Sequence, residues 1–557
     1  MKNKISLLIL LAGFLSQKQQ AQSLLGSNLY EIVFTDKNNS PYNVQNPEVF
    51  LSARALSRRT IRGIQLSAQD FPVNPSYVQG VAQTGAVIRG KSRWRNSVLV
   101  LITDSSQLNG ILQLPYVNNA GALNRLSSAP DTLKFKNDDA NVALLNQTKS
   151  ISNQPFDYGI AAAQINQIAG EGLHQQGYLG QDMVIAVFDA GFPGVNTLPI
   201  FDSLRSQNRL LGTWDFAGMS NQVFSFHPHG TNTLSCMAAN LPGVMIGTAP
   251  RASFYLYRTE VAETENPVEE YYWVEAAEAA DSVGADIISS SLGYTTYDRN
   301  EQSYSTQDMN GSTAICTNGA DIAVSKGMLV VNSAGNSGAS SWRIISAPAD
   351  GDSVFAIGAV NREGFRAGFS SKGPTADFRI KPDVCALGEG AAIALNGGGT
   401  GYANGTSFSC PIIAGMSACL WQALPGLHPT ELMTRIRLTA SLANTPDTYY
   451  GWGIPNFSLA LLGINELSKN TTPGKPVLFP NPVGQNELQF LWLSRDSQTI
   501  RIRVFDAGGR EVINTEKYIP AGSYQAHTVD GFPSLYQGVY VVHLQSRGYT
   551  YVSGVIR

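Results

Sequence analysis

A chain of 557 residues is too long for a single hydrophobic core and sets an expectation of about three or four domains. Its 43% apolar and 15% charged content exclude a disordered protein. A formal net charge of −3 offers no electrostatic footprint for nucleic acid.

The first element is a targeting segment. Lys2 and Lys4 precede the apolar run Ile5 to Leu15, too short to span a bilayer, and a polar run from Ser16 to Gln20 follows. This pattern predicts an export signal over residues 1–22, with cleavage near Ala21 to Ser23. No later run is long and apolar enough for a membrane helix, so the mature form is expected to carry no transmembrane segment.

Block one, residues 24–126, has strand-like runs at Leu29 to Phe34 and Ser97 to Ile102 and a basic helix-like stretch from Leu51 to Ile64. Arg54, Arg58, Arg59 and Arg62 are expected to form the solvated face of that helix, not a site for a polyanion. The block has no histidine and no cysteine, so it is poorly equipped for chemistry. Residues 127–155, rich in Asn, Ser and Asp, form a connector.

Block two, residues 156–467, alternates short apolar runs with helix-like stretches. Val184 to Phe188, Phe254 to Tyr257, Asp286 to Ser290, Met328 to Val331 and Val354 to Val360 are the predicted strands, and Val268 to Val283 the clearest helix. Such alternation predicts an α/β domain with a parallel sheet covered by helices on both faces. Catalytic groups on such a sheet gather at the carboxyl ends of its strands, where Asp189 and Asn336 fall.

After a second connector, residues 468–476, block three (477–557) shows runs at Leu488 to Leu493, Ile500 to Phe505, Val539 to Leu544 and Tyr549 to Ile556. Ala507-Gly508-Gly509 and Ser546-Arg547-Gly548 read as hairpin turns, so the block is expected to be a small all-β sandwich. The five cysteines, Cys236, Cys316, Cys385, Cys410 and Cys419, all lie in block two. Cys410 and Cys419 on one helix stand about 13 Å apart at about 1.5 Å per residue, too far to bridge, and the set is expected to be buried and inert.

Four groups carry the chemistry. Asp189 ends an apolar run, His229 opens His-Gly-Thr, Asn336 follows Ser-Ala-Gly, and Ser407 sits in Gly-Thr-Ser. A serine hydroxyl is a poor nucleophile until a base lies within hydrogen-bond reach, and His229 suits that role best of the six histidines. His227 is expected to face solvent, and His428, before Pro429-Thr430-Glu431, to open a helix. A carboxylate at Asp189 would hold the imidazole tautomer. The Asn336 amide and the Ser407 backbone N–H, at the start of a helix running to about Gln422, would receive negative charge developing on a carbonyl oxygen.

With Asn404-Gly405-Thr406-Ser407-Phe408-Ser409-Cys410-Pro411, Phe369-Ser370-Ser371-Lys372-Gly373-Pro374 and Lys381-Pro382-Asp383-Val384, these groups make block two resemble the subtilisin-like serine peptidases. The chain order acid, imidazole, amide, hydroxyl is that family's. The resemblance implies a secreted serine endopeptidase with Asp189, His229 and Ser407 as triad and Asn336 at the oxyanion. Ser289-Ser290-Ser291-Leu292-Gly293 is similar to the family's cleft strand, which implies substrate contacts at Ser291, Leu292, Gly293, Ala334 and Gly335. Ala190-Gly191-Phe192 and Asn232 depart from the pattern of many relatives without removing a group the mechanism needs. No cofactor is expected in catalysis, and the resemblance allows structural calcium without fixing its ligands.

Block one occupies the place of the family's inhibitory propeptide. Block three resembles the C-terminal domain read by the type IX secretion machinery of certain Gram-negative bacteria, on Phe479-Pro480-Asn481-Pro482, Val504-Phe505-Asp506-Ala507-Gly508-Gly509-Arg510 and Gly538-Val539-Tyr540. That implies passage through the periplasm to the cell surface or medium. Two rivals stand beside this reading. A serine esterase is disfavoured because Gly-Thr-Ser-Phe-Ser is not Gly-x-Ser-x-Gly, and a catalytically silent surface-binding protein because all four groups are intact.

Overall fold

The computed structural model describes residues 29–124, 140–141 and 156–462, then 476–479, 483, 488–491, 497–519, 526–546 and 549–557. The export signal, nearly all of both connectors, Pro480-Asn481-Pro482 and Arg547-Gly548 lie outside them. Contacts divide the chain into one unit through Ser458 and a second from Leu459.

The first unit is built on a seven-stranded sheet, ordered Val384–Leu387, Phe355–Val360, Leu329–Ser333, Ile287–Ser290, Val184–Asp189, Ser253–Arg258, Leu210–Asp215. Neighbouring strands run parallel throughout. Val184–Asp189 is the first of these strands in the chain; later strands add on both of its sides, so the order reverses there and a crevice opens at its carboxyl end. All six of its residues are buried. Val184, Ala186 and Phe188 pack with Trp273, Val274 and Ala277 of the helix Val268–Val283, which lies against the helix Ile315–Ser325. The helices Thr406–Ala423 and His229–Ala238 form a second packed pair on the sheet.

Block one is a four-stranded antiparallel sheet, ordered Val87–Ser92, Ser97–Leu101, Leu29–Phe34, Val117–Asn124. Strand alternation gives it two apolar faces. Tyr30, Ile32, Val98 and Val100 build its own core, whereas Leu29, Leu99 and Leu123 pack on Val268, Tyr271 and Tyr272.

The arginine cluster departs from the expectation of a solvated face. Its helix spans Ala53–Ile61, and Arg58 and Arg59 are only 3% and 2% exposed. Asp281 accepts from Arg58, from Arg59 at 2.7 Å and from Arg93 at 2.6 Å. Arg54 donates to the Gly284 carbonyl at 2.9 Å and also pairs with Asp286. These cations gather where the helix Val268–Val283 ends with Gly284 in the left-handed region (φ 83), where the helix dipole and unsatisfied carbonyls favour positive charge. Partners more than 200 positions away in the chain could not be read from local composition. Asp281→Asn removes the shared counter-charge and leaves three guanidinium groups buried together. We expect a loss of about 3–5 kcal/mol in the hold on block one, measurable as denaturant-induced release of that block.

All five cysteines are buried and free, and burial pushes the Cys410 thiol up to about 12. His428 caps the helix Pro429–Arg437 as expected, its side chain accepting from the Thr430 N–H. His174 is buried, and its Nε2–H donates to the Thr248 carbonyl at 2.9 Å, so Nδ1 accepts from the Tyr158 hydroxyl at 3.0 Å. Burial pushes this imidazole down to about 4, below its unfolded value of about 6.5. The unfolded chain therefore takes up the proton first, and stability present above about pH 6.5 is lost as pH falls towards 4. We expect a loss of about 3 kcal/mol from this group, seen as a difference between wild type and His174→Asn that narrows on acidification when both are measured in a Ser407→Ala background.

In the second unit, Val477–Phe479, Gln489–Leu491 and Ala526–Thr528 form one antiparallel sheet. Glu511–Ile519, Gln498–Asp506, Val539–Ser546 and Tyr549–Ile556 form another, in that order. Phe490 from the first and Ile500, Val504 and Val542 from the second share one core. The Ala507-Gly508-Gly509 turn is tied by the Asp506 carboxylate, which accepts from Gly508 N–H and Arg510 N–H at 3.0 Å each. Among the described residues no helix is long and apolar enough to cross a membrane.

Candidate active site

Asp189 stands at the carboxyl end of the first core strand with its side chain wholly buried. Oδ1 accepts from the Ala190 N–H at 2.8 Å and from His229 Nδ1 at 2.7 Å, and Oδ2 accepts from Thr233 Oγ1 at 3.1 Å. An ionised carboxylate only accepts, so Nδ1 carries the hydrogen and Nε2 is the basic nitrogen. His229 opens the helix His229–Ala238, and Thr233 lies one turn later on the same face. Gly230 permits the close approach of this helix to the strand end, since a Cβ there would lie 2.3 Å from the Gly191 carbonyl oxygen and 2.9 Å from Asp189 Cβ. His227, expected in solvent, is half-buried, with Nδ1 accepting from the His229 N–H at 3.3 Å.

Ser407 is the second residue of the helix Thr406–Ala423, and the Phe408 ring packs against the His229 ring with centroids 6.0 Å apart. Pro411 is four residues on and has no N–H, so the Ser407 carbonyl loses its usual partner within the helix. Ser291 Oγ donates to that carbonyl at 2.8 Å and fastens the helix start to the end of the strand Ile287–Ser290. Asn336 lies three residues beyond the strand Leu329–Ser333. Its Oδ1 accepts from both N–H and Oγ1 of Thr406 at 2.9 Å each, and Thr406 Oγ1 in turn accepts from the Gly335 N–H at 3.1 Å. With Oδ1 engaged by Thr406, the orientation of the Asn336 amide is set, and its NH2 is the donor end.

Ser291, Leu292, Gly293, Gly335 and Asn336 line a pocket of about 190 Å3 together with Ser407. Gly335 adopts φ 103, which a side chain rarely tolerates, and a Cβ there would meet two hydroxyls at 3.1 Å. Ala334 lies behind this wall, fully buried, its N–H on the Ile357 carbonyl at 2.9 Å and its carbonyl on the Ser346 N–H at 3.3 Å. Thr233, Thr406, Ser346, Glu260 and Glu265 were not foreseen from the sequence. Helical spacing from His229 could have pointed to Thr233, and adjacency to Ser407 to Thr406. The other three come from loops with no local signature.

A buried acid, an imidazole with its basic nitrogen defined, and a hydroxyl at a helix start beside a fixed amide are the parts of acyl transfer. The sequence profile described as "Subtilase family" matches residues 180–453, and that described as "Peptidase S8 propeptide domain, Bacteroidota" matches residues 29–139. Subtilisin E of Bacillus subtilis (strain 168) is 32% identical over 354 residues, covering 62% of this chain and 82% of the relative. Subtilisin of Bacillus pumilus is 33% identical over 311 residues, covering 55% of this chain and 99% of the relative. Among solved structures, the MycP3 protease from the type VII (ESX-3) secretion system is similar at 19% identity and a TM-score of 0.43, covering 55% of this chain and 89% of that one. With a propeptide domain ahead of a peptidase domain that is a third identical to Bacillus subtilisins, the chain belongs to the subtilase family and is a subtilisin-like serine endopeptidase.

Proposed function

We propose that Asp189, His229 and Ser407 are the catalytic triad of this endopeptidase and that Asn336 and the Ser407 N–H stabilise the oxyanion. The observation that carries the assignment is the 2.7 Å hydrogen bond from His229 Nδ1 to the buried Asp189 carboxylate, beside a serine whose neighbour Thr406 holds Asn336. His229 Nε2 takes the Ser407 proton as Oγ attacks the peptide carbonyl, and the proton passes to the leaving amine as the C–N bond breaks. Water, activated by the same nitrogen, then releases the acyl group and restores the serine. Substrate backbone runs along Ser291 to Gly293 and past Gly335, with Ala334 supporting the wall from behind. The proposed steps use protein groups and water, so a chelator is expected to act on stability alone. A fluorophosphonate probe tests the reading: the mature enzyme takes up one label, at Ser407, and labelling elsewhere, or none in an active preparation, rejects it.

The chain is proposed to be a precursor with an export signal at 1–22, an inhibitory propeptide at 24–126, the peptidase at 156–467 and a sorting domain at 477–557, separated by the connectors at 127–155 and 468–476. Block one covers the helix Val268–Val283 with both apolar and ionic contacts, which supports a domain that acts on its own peptidase. For block three the support is its closed antiparallel core and its terminal motifs, and the route proposed is type IX secretion through a Gram-negative periplasm. Deleting 477–557 is expected to leave active enzyme in the periplasm of a type IX-competent host. The same residues fused to an exported reporter are expected to carry it to the surface or medium. Truncated enzyme reaching the medium at the wild-type level would remove the sorting role.

A further inference from the structure

We infer that the pocket beside Ser407 selects a cationic side chain, lysine or arginine, close to the scissile bond of the substrate, with Glu260 and Glu265 supplying negative charge and Ser346 a hydrogen-bond acceptor. The inference rests on the peptide-cutting reading of the same cleft and adds the chemistry of what it accepts. Two carboxylates line this pocket, and no lysine, arginine or histidine lines it among the described residues. Ser346 is 5% exposed, lines the same pocket, and its Oγ has no hydrogen-bond partner among the described residues. That hydroxyl sits between two glycines, for a Cβ on Gly293 would lie 2.2 Å from it and one on Gly335 3.1 Å. Glycine at both positions therefore keeps a buried polar atom open to an occupant, and a buried hydroxyl is normally bonded.

The carboxylates are built in, not incidental. Glu260, 2% exposed, follows the strand Ser253–Arg258 and accepts from the Tyr294 hydroxyl. Glu265 is held through its main chain, its N–H on Asp298 Oδ2 at 3.1 Å and its carbonyl on the Asp298 N–H at 2.9 Å. Glu269 shapes the segment that carries both, accepting from Val261 N–H and Asn266 N–H at 2.8 Å each. Negative charge in a low-dielectric wall disfavours an apolar or acidic occupant and is offset by an ammonium or guanidinium group, whose spare donors suit Ser346 Oγ.

The test is a fluorogenic peptide library varied at each of the four positions before the scissile bond, read as kcat/KM with mature full-length enzyme. Arginine or lysine is expected to exceed leucine at least tenfold at one position. Glu265→Gln and Glu260→Gln are each expected to reduce that ratio several-fold, and Ser346→Ala to reduce it less. Raising ionic strength should narrow the ratio in the wild type, which keeps the test decisive if Glu260→Gln fails to fold. A wild-type preference for neutral or acidic residues at all four positions overturns the inference, as does a ratio that Glu265→Gln leaves intact. Fluorophosphonate labelling of Ser407 reports on the triad independently, so a labelled enzyme without basic preference rejects this inference alone.

Discussion

Ser407→Ala is expected to lower kcat on peptide substrates by about 10⁶, the magnitude known for the serine of subtilisin's triad, while the protein keeps its fold. Only the nucleophilic oxygen is lost. The Ser407 carbonyl still accepts from Ser291 Oγ, Thr406 still holds Asn336, and the side chain removed is small and 4% exposed. A residual rate about 10³–10⁴ above uncatalysed hydrolysis should remain, because substrate binding and the oxyanion donors survive. Single-turnover kinetics on a peptide with a defined cut site give the comparison, with thermal unfolding as the control for fold. Wild-type turnover in a folded Ser407→Ala enzyme would falsify the assignment of the nucleophile.

Asp189→Ala is expected to cost about 10⁴ in kcat and to change KM little. Its Oδ1 accepts from His229 Nδ1, and in the proposed mechanism its charge would stabilise the imidazolium formed when Nε2 takes the serine proton. Removing it also releases the Ala190 N–H and the Thr233 hydroxyl, so some loss of stability accompanies the loss of rate. The sharper readout is non-additivity. In a Ser407→Ala background, Asp189→Ala should cost almost nothing further, because a base without a nucleophile has no proton to take. Multiplicative losses in the double variant would show that Asp189 acts outside the triad. Thr233→Val is a gentler companion, since it removes one bond to the carboxylate and leaves the charge in place.

Under the proposed processing, the arginine network would give the peptidase domain a different surface before and after release of block one. While block one is bound, Asp281 meets Arg58, Arg59 and Arg93 away from water, and Glu278 accepts from the Ser92 hydroxyl and the Arg93 and Trp94 N–H groups. Burial holds the Glu278 carboxyl above its usual range. Release of block one, as proposed, would return these carboxylates to water on the helix Val268–Val283.

Much of this was legible in sequence. Ala and Glu content placed the helix at Val268 to Val283, and a short apolar run placed the strand at Leu29 to Phe34, with the bounds the structure has, because each residue preference is local. The four groups proposed for the chemistry could be picked out in sequence because each lies near the end of a strand or the start of a helix, where a short motif records the turn. The packing partners left no such record. Strand order, and with it the crevice beside Asp189, depends on which strands neighbour Val184–Asp189 in space, and every parallel crossover erases that information from local sequence. The arginines read as solvated because charge near the surface usually is, whereas their partners Asp281 and Asp286 lie more than 200 residues away. Glu260, Glu265 and Ser346 come from loops that meet only when the sheet assembles. The sequence by itself determined the class of fold and the chemistry; the tertiary structure alone decided which charges face each other and what the cleft presents beside its nucleophile.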